Sequence, residues 1–241
     1  MTASTTSILV TGGTGTLGRP TVDQLRAAGH EVRVLSRRTG PGLITGDLTT
    51  GRGIDAAVDG ADTIVHLATG LGRRDVQQAR NLLRVPVAHV VVMSIVGIDR
   101  IPLPYYRSKL EVERLVAESG TPYTILRATQ FHNLLDRIFS LRLPAILAPS
   151  VTLQPIAVED VAVRLSELVE QGPANGRAPD IGGPERRRLP ELAREWAAAR
   201  GSRRPIMPLR VPGKTFRAYA GGAALVDGPS YGTITFAEYL G

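Results

Sequence analysis

The chain has 241 residues, 43% of them hydrophobic and 21% charged, enough for one sizeable α/β domain of ordinary globular composition. It has no cysteine, which excludes disulfides and thiolate metal sites, and its histidines (His30, His66, His89, His132) lack metal-ligand spacing, so no metal is expected. The net charge of +7 is scattered in short clusters such as Arg37-Arg38 and Arg73-Arg74 with no interleaved aromatics, which argues against nucleic acid as the main partner and suits attraction of an anionic cofactor.

The N-terminal M-T-A-S-T-T-S carries no basic residue and no apolar stretch, so no signal peptide is read there. No apolar run approaches the ~20 residues of a membrane span. A cytoplasmic protein is expected.

Ile8, Leu9 and Val10 form a short apolar run of the kind found in a strand buried on both faces. Gly12, Gly13, Gly15 and Gly18 follow at once, and from Thr16 the chain reads as an amphipathic helix closed by Gly29. A strand turning tightly into a helix leaves free N–H groups and a positive dipole end, and glycines there let the backbone approach a pyrophosphate. Thr14, Gly15, Thr16 and Leu17 lie in that turn, so they are candidate cofactor contacts with Gly12 and Gly18. The second strand is E-V-R-V-L-S. It ends at Ser36-Arg37-Arg38, where dinucleotide folds often place an acidic residue for a ribose 2′-hydroxyl. A hydroxyl and two guanidinium groups suit a 2′-phosphate instead, which favours NADP(H) over NAD(H).

Leu43-Ile44 suggests a third strand ending at Gly46-Asp47-Leu48, and a small helix around Ile54 to Val58 precedes a fourth strand from Asp62 to Leu67. A polar helix near Arg73 to Leu83 leads to a fifth strand, His89 to Ser94. A helix from Tyr105 to Glu118 and a sixth strand from Tyr123 to Arg127 follow. This alternation implies right-handed crossovers and a parallel sheet covered on both faces, a Rossmann-type doubly wound α/β fold. Beyond it, Val151 to Val158 reads as a strand, and Glu159 to Glu170 and Pro184 to Ala199 as helices. A proline-rich segment and a Gly-Ala stretch come last. The expectation is a single domain over 1–241. Its cofactor-binding core occupies about 1–150, and small extensions over about 151–241 wall a substrate pocket or simply cap the core.

Of the 29 basic residues only Lys109 and Lys214 are lysine. Lys109 lies four residues after Tyr105, so the two side chains share one helix face, and Ser94 ends the preceding strand. A tyrosine can pass a proton to a forming alkoxide, and a nearby ammonium would stabilise the phenolate and lower its pKa. A serine hydroxyl can hydrogen-bond the oxygen where charge develops. Tyr106, three residues before Lys109, could also reach that face.

The glycine spacing and the Ser94, Tyr105-x-x-x-Lys109 pattern resemble the short-chain dehydrogenase/reductase superfamily, above all its atypical, NmrA-like or NAD(P)H-binding branch. The resemblance spans nearly the whole chain and is strongest over residues 8–18 and 91–131. It implies Asp47 and Leu48 at the adenine, although Asp47 equally suits an ordinary turn. It implies Leu67, Ala68 and Thr69 along the cofactor after the fourth strand, and Lys109 on the nicotinamide ribose. Phe131 would cover the nicotinamide, and Gln130 or His132 would touch substrate; core or solvent roles for these stand equally open. The activity implied is NADPH-dependent reduction of a small carbonyl or quinone substrate, with catalysis by Ser94, Tyr105 and Lys109. Two alternatives stand beside it, a redox sensor that binds NADP(H) without turnover and an epimerase or dehydratase. A symmetric dimer is the default expectation.

Overall fold

The computed structural model describes residues 5–70 and 72–241. In chain order its elements are β1 (Ser7–Thr11), α1 (Gly18–Ala27), β2 (Glu31–Ser36), β3 (Leu43–Thr45), α2 (Ile54–Val58), β4 (Thr63–His66), α3 (Arg73–Leu82), β5 (His89–Ile95), α4 (Pro104–Glu118) and β6 (Tyr123–Ala128). Then come α5 (His132–Phe139), β7 (Ile146–Pro149), β8 (Thr152–Leu153), α6 (Val158–Gln171), β9 (Gly176–Arg177), β10 (Arg187–Arg188), α7 (Leu189–Ala199), β11 (Ile206–Leu209), α8 (Lys214–Ala220) and α9 (Phe236–Leu240).

Two compact units are interleaved along the sequence. The first comprises the chain up to Ser94 with Pro104–Arg127 and Val161–Pro179, and the second comprises Ile95–Leu103, Ala128–Asp160 and Asp180–Gly241.

The first unit is built on a seven-stranded sheet of order β3-β2-β1-β4-β5-β6-β9. Pairing is parallel at β2–β3, β1–β2, β1–β4, β4–β5 and β6–β9. The first six strands follow the Rossmann order, with the reversal of direction at β1 and β4. Along β1, Ile8, Leu9 and Val10 are all fully buried, so residues pointing to opposite faces are covered alike, as a doubly wound parallel sheet requires. One face carries Leu9, Leu35, Ile64, Val90, Val92 and Ile125 against Ile54 and Val58 of α2, Ala79 and Leu82 of α3, and Val112 and Val116 of α4.

In the second unit, β10 pairs antiparallel with β8, and β11 pairs parallel with β7. The strand expected from Val151 to Val158 is cut to Thr152–Leu153 plus an isolated bridge at Ile156, because Pro155 has no N–H for a ladder. The helix expected from Pro184 starts only at Leu189, since Arg187 and Arg188 are taken up by β10 and Pro190 fits the first helical turn. No described helix is long and apolar enough to cross a membrane.

Candidate active site

The glycines of the first turn divide into two kinds. Gly12 has φ +72°, and a Cβ there would lie 2.7 Å from the backbone nitrogen of Ala68. At Gly18 a Cβ would lie 2.1 Å from the carbonyl oxygen of Gly12. These two permit the close approach of β1, the segment after β4 and the start of α1. Gly15 differs: its Cβ would meet only the Gly12 carbonyl at 3.2 Å, and Thr14, Gly15 and Thr16 form an exposed tip. Leu17 beneath them is buried. No side chain caps α1 and no acidic residue lies in its first turn. Its positive dipole end thus remains open to an anion, although the Arg19 N–H already donates to the Gly15 carbonyl at 3.1 Å.

Register places the neighbours. Thr11 is opposite Leu35 of β2 and His66 of β4, so Ser36 and Leu67 each lie one step from Gly12 along the strand ends. Ser36 Oγ accepts the Arg38 N–H at 3.0 Å. Arg37 and Arg38 are exposed and enter no ion pair among the described residues. Asp47 accepts the Thr49 N–H on Oδ1 at 2.8 Å, closing a local turn, while Leu48 is buried in the core under β2 and β4. Leu67 and Ala68 are half-buried and Thr69 is exposed.

Helix α4 brings Tyr105 and Lys109 to one place. The Tyr105 hydroxyl lies 3.2 Å from Thr69 Oγ1, and Thr69 donates to the carboxylate of Asp75 at 3.2 Å. Asp75, in the first turn of α3, is only 1% exposed. It also accepts the Gly70 N–H and lies 3.8 Å from the Lys109 ammonium. Tyr106 is buried beside Tyr105, with ring centroids 6.2 Å apart. Of the two, Tyr105 is the one whose hydroxyl meets Thr69.

Electrostatics follow from this burial. Desolvation holds the Tyr105 pKa above its ordinary value, and the negative charges of Asp75 and ionised Tyr106 add to the rise against the hydrogen bond of Thr69. The Lys109 ammonium is engaged by Asp75, and the phenol moves up rather than down. Burial pushes Lys109 below its ordinary range, opposed by Asp75 and Glu113. His66, bonded through Nδ1 to Thr11 Oγ1 at 2.8 Å, is lowered to about 3 by burial and then by the Lys109 charge. It is neutral at physiological pH. Ser94 is 1% exposed, and its Oγ has no hydrogen-bond partner.

In the second unit, Phe131 precedes α5 and bridges to Ile156. Gln130 is buried with both side-chain amide atoms unpartnered, as a residue awaiting a ligand's polar group would be. His132 is held differently. Its Nε2 lies 3.0 Å from the Ile234 carbonyl, and its ring lies among Phe236 and Tyr239.

Asp75 was not expected from the sequence. An acidic residue in the first turn of a polar helix ordinarily complements the helix dipole from the surface, and nothing local marks this one as buried.

The open tip at Gly15, the uncapped helix behind it and the unpartnered buried hydroxyl of Ser94 fit a dinucleotide. They define a Rossmann-type nucleotide-binding protein. Residues 12–170 match the NAD(P)H-binding family, and the chain belongs to that family, as its likeness to the NAD(P)H-binding branch of the short-chain reductases implies. An uncharacterised protein of Mycobacterium tuberculosis is 29% identical over 226 residues, covering 85% of this chain and 24% of that protein. The chain therefore spans about a quarter of the length of its mycobacterial relatives. The (4-alkanoyl-5-oxo-2,5-dihydrofuran-3-yl)methyl phosphate reductase of Streptomyces griseus is 29% identical over 194 residues, covering 74% of this chain and 68% of that enzyme. The fold is similar to that of an NADPH-dependent quinone oxidoreductase of Escherichia coli complexed with NADPH. The TM-score is 0.81 at 18% identity, over 97% of this chain and 98% of that one. Among the described residues, no group of three or more His, Asp or Glu could hold a metal ion.

Proposed function

We propose that this chain is an NADPH-dependent oxidoreductase that reduces a small carbonyl or quinone-type acceptor. The observation that carries the reading is the meeting of the Tyr105 hydroxyl and the Lys109 ammonium at Thr69 and Asp75. The unit that holds them also bears the glycine turn. The named activities of the Streptomyces reductase and the Escherichia quinone oxidoreductase support it.

The N–H groups of Thr16 to Gly18, where α1 begins, would hold the pyrophosphate, with Asp47 and Leu67 to Thr69 bordering the nucleotide. Ser36, Arg37 and Arg38 would take the 2′-phosphate and so select NADPH over NADH. Bound NADPH supplies a hydride. Tyr105, a phenol protonated at neutral pH, gives its proton to the acceptor oxygen. Ser94 donates its hydroxyl to the same oxygen as negative charge develops there, and Lys109 is available to the ribose hydroxyls.

The test is NADPH oxidation against a panel of quinones and aromatic ketones, wild type beside Tyr105→Phe, with cofactor affinity followed in the same samples. Turnover lost in the variant with NADPH binding intact is the expected result. Tight NADPH binding with no turnover on any acceptor in either protein would overturn it and leave a non-catalytic NADP(H) sensor.

A further inference from the structure

Asp75, 1% exposed, is linked to the proposed acid through Thr69, and no step of the reaction above requires it. Three groups from two places in the first unit converge on it: the Thr69 hydroxyl and Gly70 N–H after β4, and the Lys109 ammonium on α4. A carboxylate can only accept hydrogen bonds, so while Asp75 is ionised it claims the single hydrogen of Thr69. The oxygen of Thr69 is then left to accept from Tyr105, 3.2 Å away.

We propose that Asp75 is a positioning residue for the tyrosine acid: through Thr69 and Lys109 it holds Tyr105 in the protonated, donating state until an acceptor arrives. This deepens the reductase reading and rests on it for the word acid; the arrangement of the four side chains does not.

The mechanism is competition. An ionised Tyr105 would need the Thr69 hydrogen, and it can have it only if Thr69 leaves Asp75. It would also need the Lys109 ammonium, which Asp75 engages from α3. The other charged or titratable groups near this cluster are Tyr106 and Glu113, on α4 with Tyr105 and Lys109, and His66 at the end of β4, which is neutral. Asp75 is the only one of them that meets both Thr69 and Lys109. When Tyr105 gives its proton to the acceptor oxygen, the O–H bond of tyrosine breaks and one forms on the product. Thr69 can then turn its hydroxyl from Asp75 to the new phenolate until solvent restores the proton.

The test reads Tyr105 directly. The ultraviolet tyrosinate band is titrated in wild type and Asp75→Asn, each subtracted from its Tyr105→Phe counterpart, so that one of the six tyrosines is isolated. The Tyr105 midpoint is expected to move to lower pH in Asp75→Asn, because the competing charge is gone and both Thr69 and Lys109 are released. Thr69→Val, at an exposed position, should also move it to lower pH, because it removes the oxygen that accepts from neutral Tyr105 while Asp75 holds the Thr69 hydrogen. A rise there would mean that Thr69 donates to the phenolate and would overturn the proposal. The second variant decides the matter if Asp75→Asn fails to fold. A midpoint unchanged in the variants that fold would overturn the proposal. Shifts as expected with no NADPH oxidation on any acceptor would sink the reductase reading alone, because this readout needs no turnover.

Discussion

Arg127 at the end of β6 and Glu113 on α4 form a buried two-point ion pair, Nε to Oε1 at 2.8 Å and Nη2 to Oε2 at 2.6 Å. It ties the helix that carries Tyr105 and Lys109 to the sheet, one turn below Lys109. The fork of an arginine satisfies both oxygens at once, which lysine could not do. Removing one partner leaves a buried charge without compensation. Arg127→Met or Glu113→Gln is therefore expected to cost about 3–5 kcal/mol in urea unfolding, whereas the double variant with apolar replacements should recover most of that loss. Equal losses in the single and double variants would refute the pairing argument.

The two kinds of glycine predict opposite failures. Gly12→Ala places a side chain in a left-handed backbone, costing about 1–2 kcal/mol, and drives it into Ala68, costing about 1–3 kcal/mol more. Its signature is a lower unfolding midpoint. Gly15→Ala is milder, since its Cβ would meet only the Gly12 carbonyl oxygen at 3.2 Å, a tight contact that a shift of a few tenths of an ångström relieves. It should stay close to wild-type stability and weaken NADPH binding about tenfold, because the added methyl stands on the exposed tip where the pyrophosphate must come close to the backbone. Denaturation and NADPH fluorescence titration on both variants separate the cases.

Much of the first unit was legible because its signals are local. The apolar run Ile8–Val10, the glycines after it and the strand-helix alternation as far as Arg127 each occupy a few consecutive residues. The four-residue step from Tyr105 to Lys109 sits inside one helix. What was not legible depends on distant partners. Asp75 is a helix-start acid until Thr69 and Lys109 close on it, and Arg127 is one arginine among many until Glu113 is opposite. In the second unit, β7 and β11 pair across some sixty residues and include Pro149 and Pro208, which argue against strands when read locally. α5 is short and lies in a stretch to which no element was assigned. The last helix carries a local signal that was not read, the reciprocal capping box of Thr235 and Glu238.

Arg37 and Arg38 should govern cofactor choice. Both are exposed, so replacing them costs little stability, and their contribution to binding should weaken with salt. Arg38→Ala is expected to lower the ratio of NADPH to NADH affinity about tenfold, the scale of one charge-assisted hydrogen bond, with NADH affinity nearly unchanged. Equal loss for both cofactors would move the 2′-phosphate contact elsewhere.

His66 sets an acid limit on stability. In the unfolded chain its imidazole takes a proton below about pH 6.5, whereas in the native protein burial delays this to about pH 3. Between those values the unfolded chain holds the extra proton, so stability is full above 6.5 and falls as the pH drops through the window. The slope from this one group reaches about 1.4 kcal/mol per pH unit. His66→Gln, whose amide can keep a bond to Thr11, should remove that slope. Urea unfolding midpoints taken from pH 7 to pH 4 would then run flatter in the variant, with the two curves parallel above 6.5. Parallel curves throughout would mean that His66 takes up its proton in the native protein as readily as in the unfolded chain.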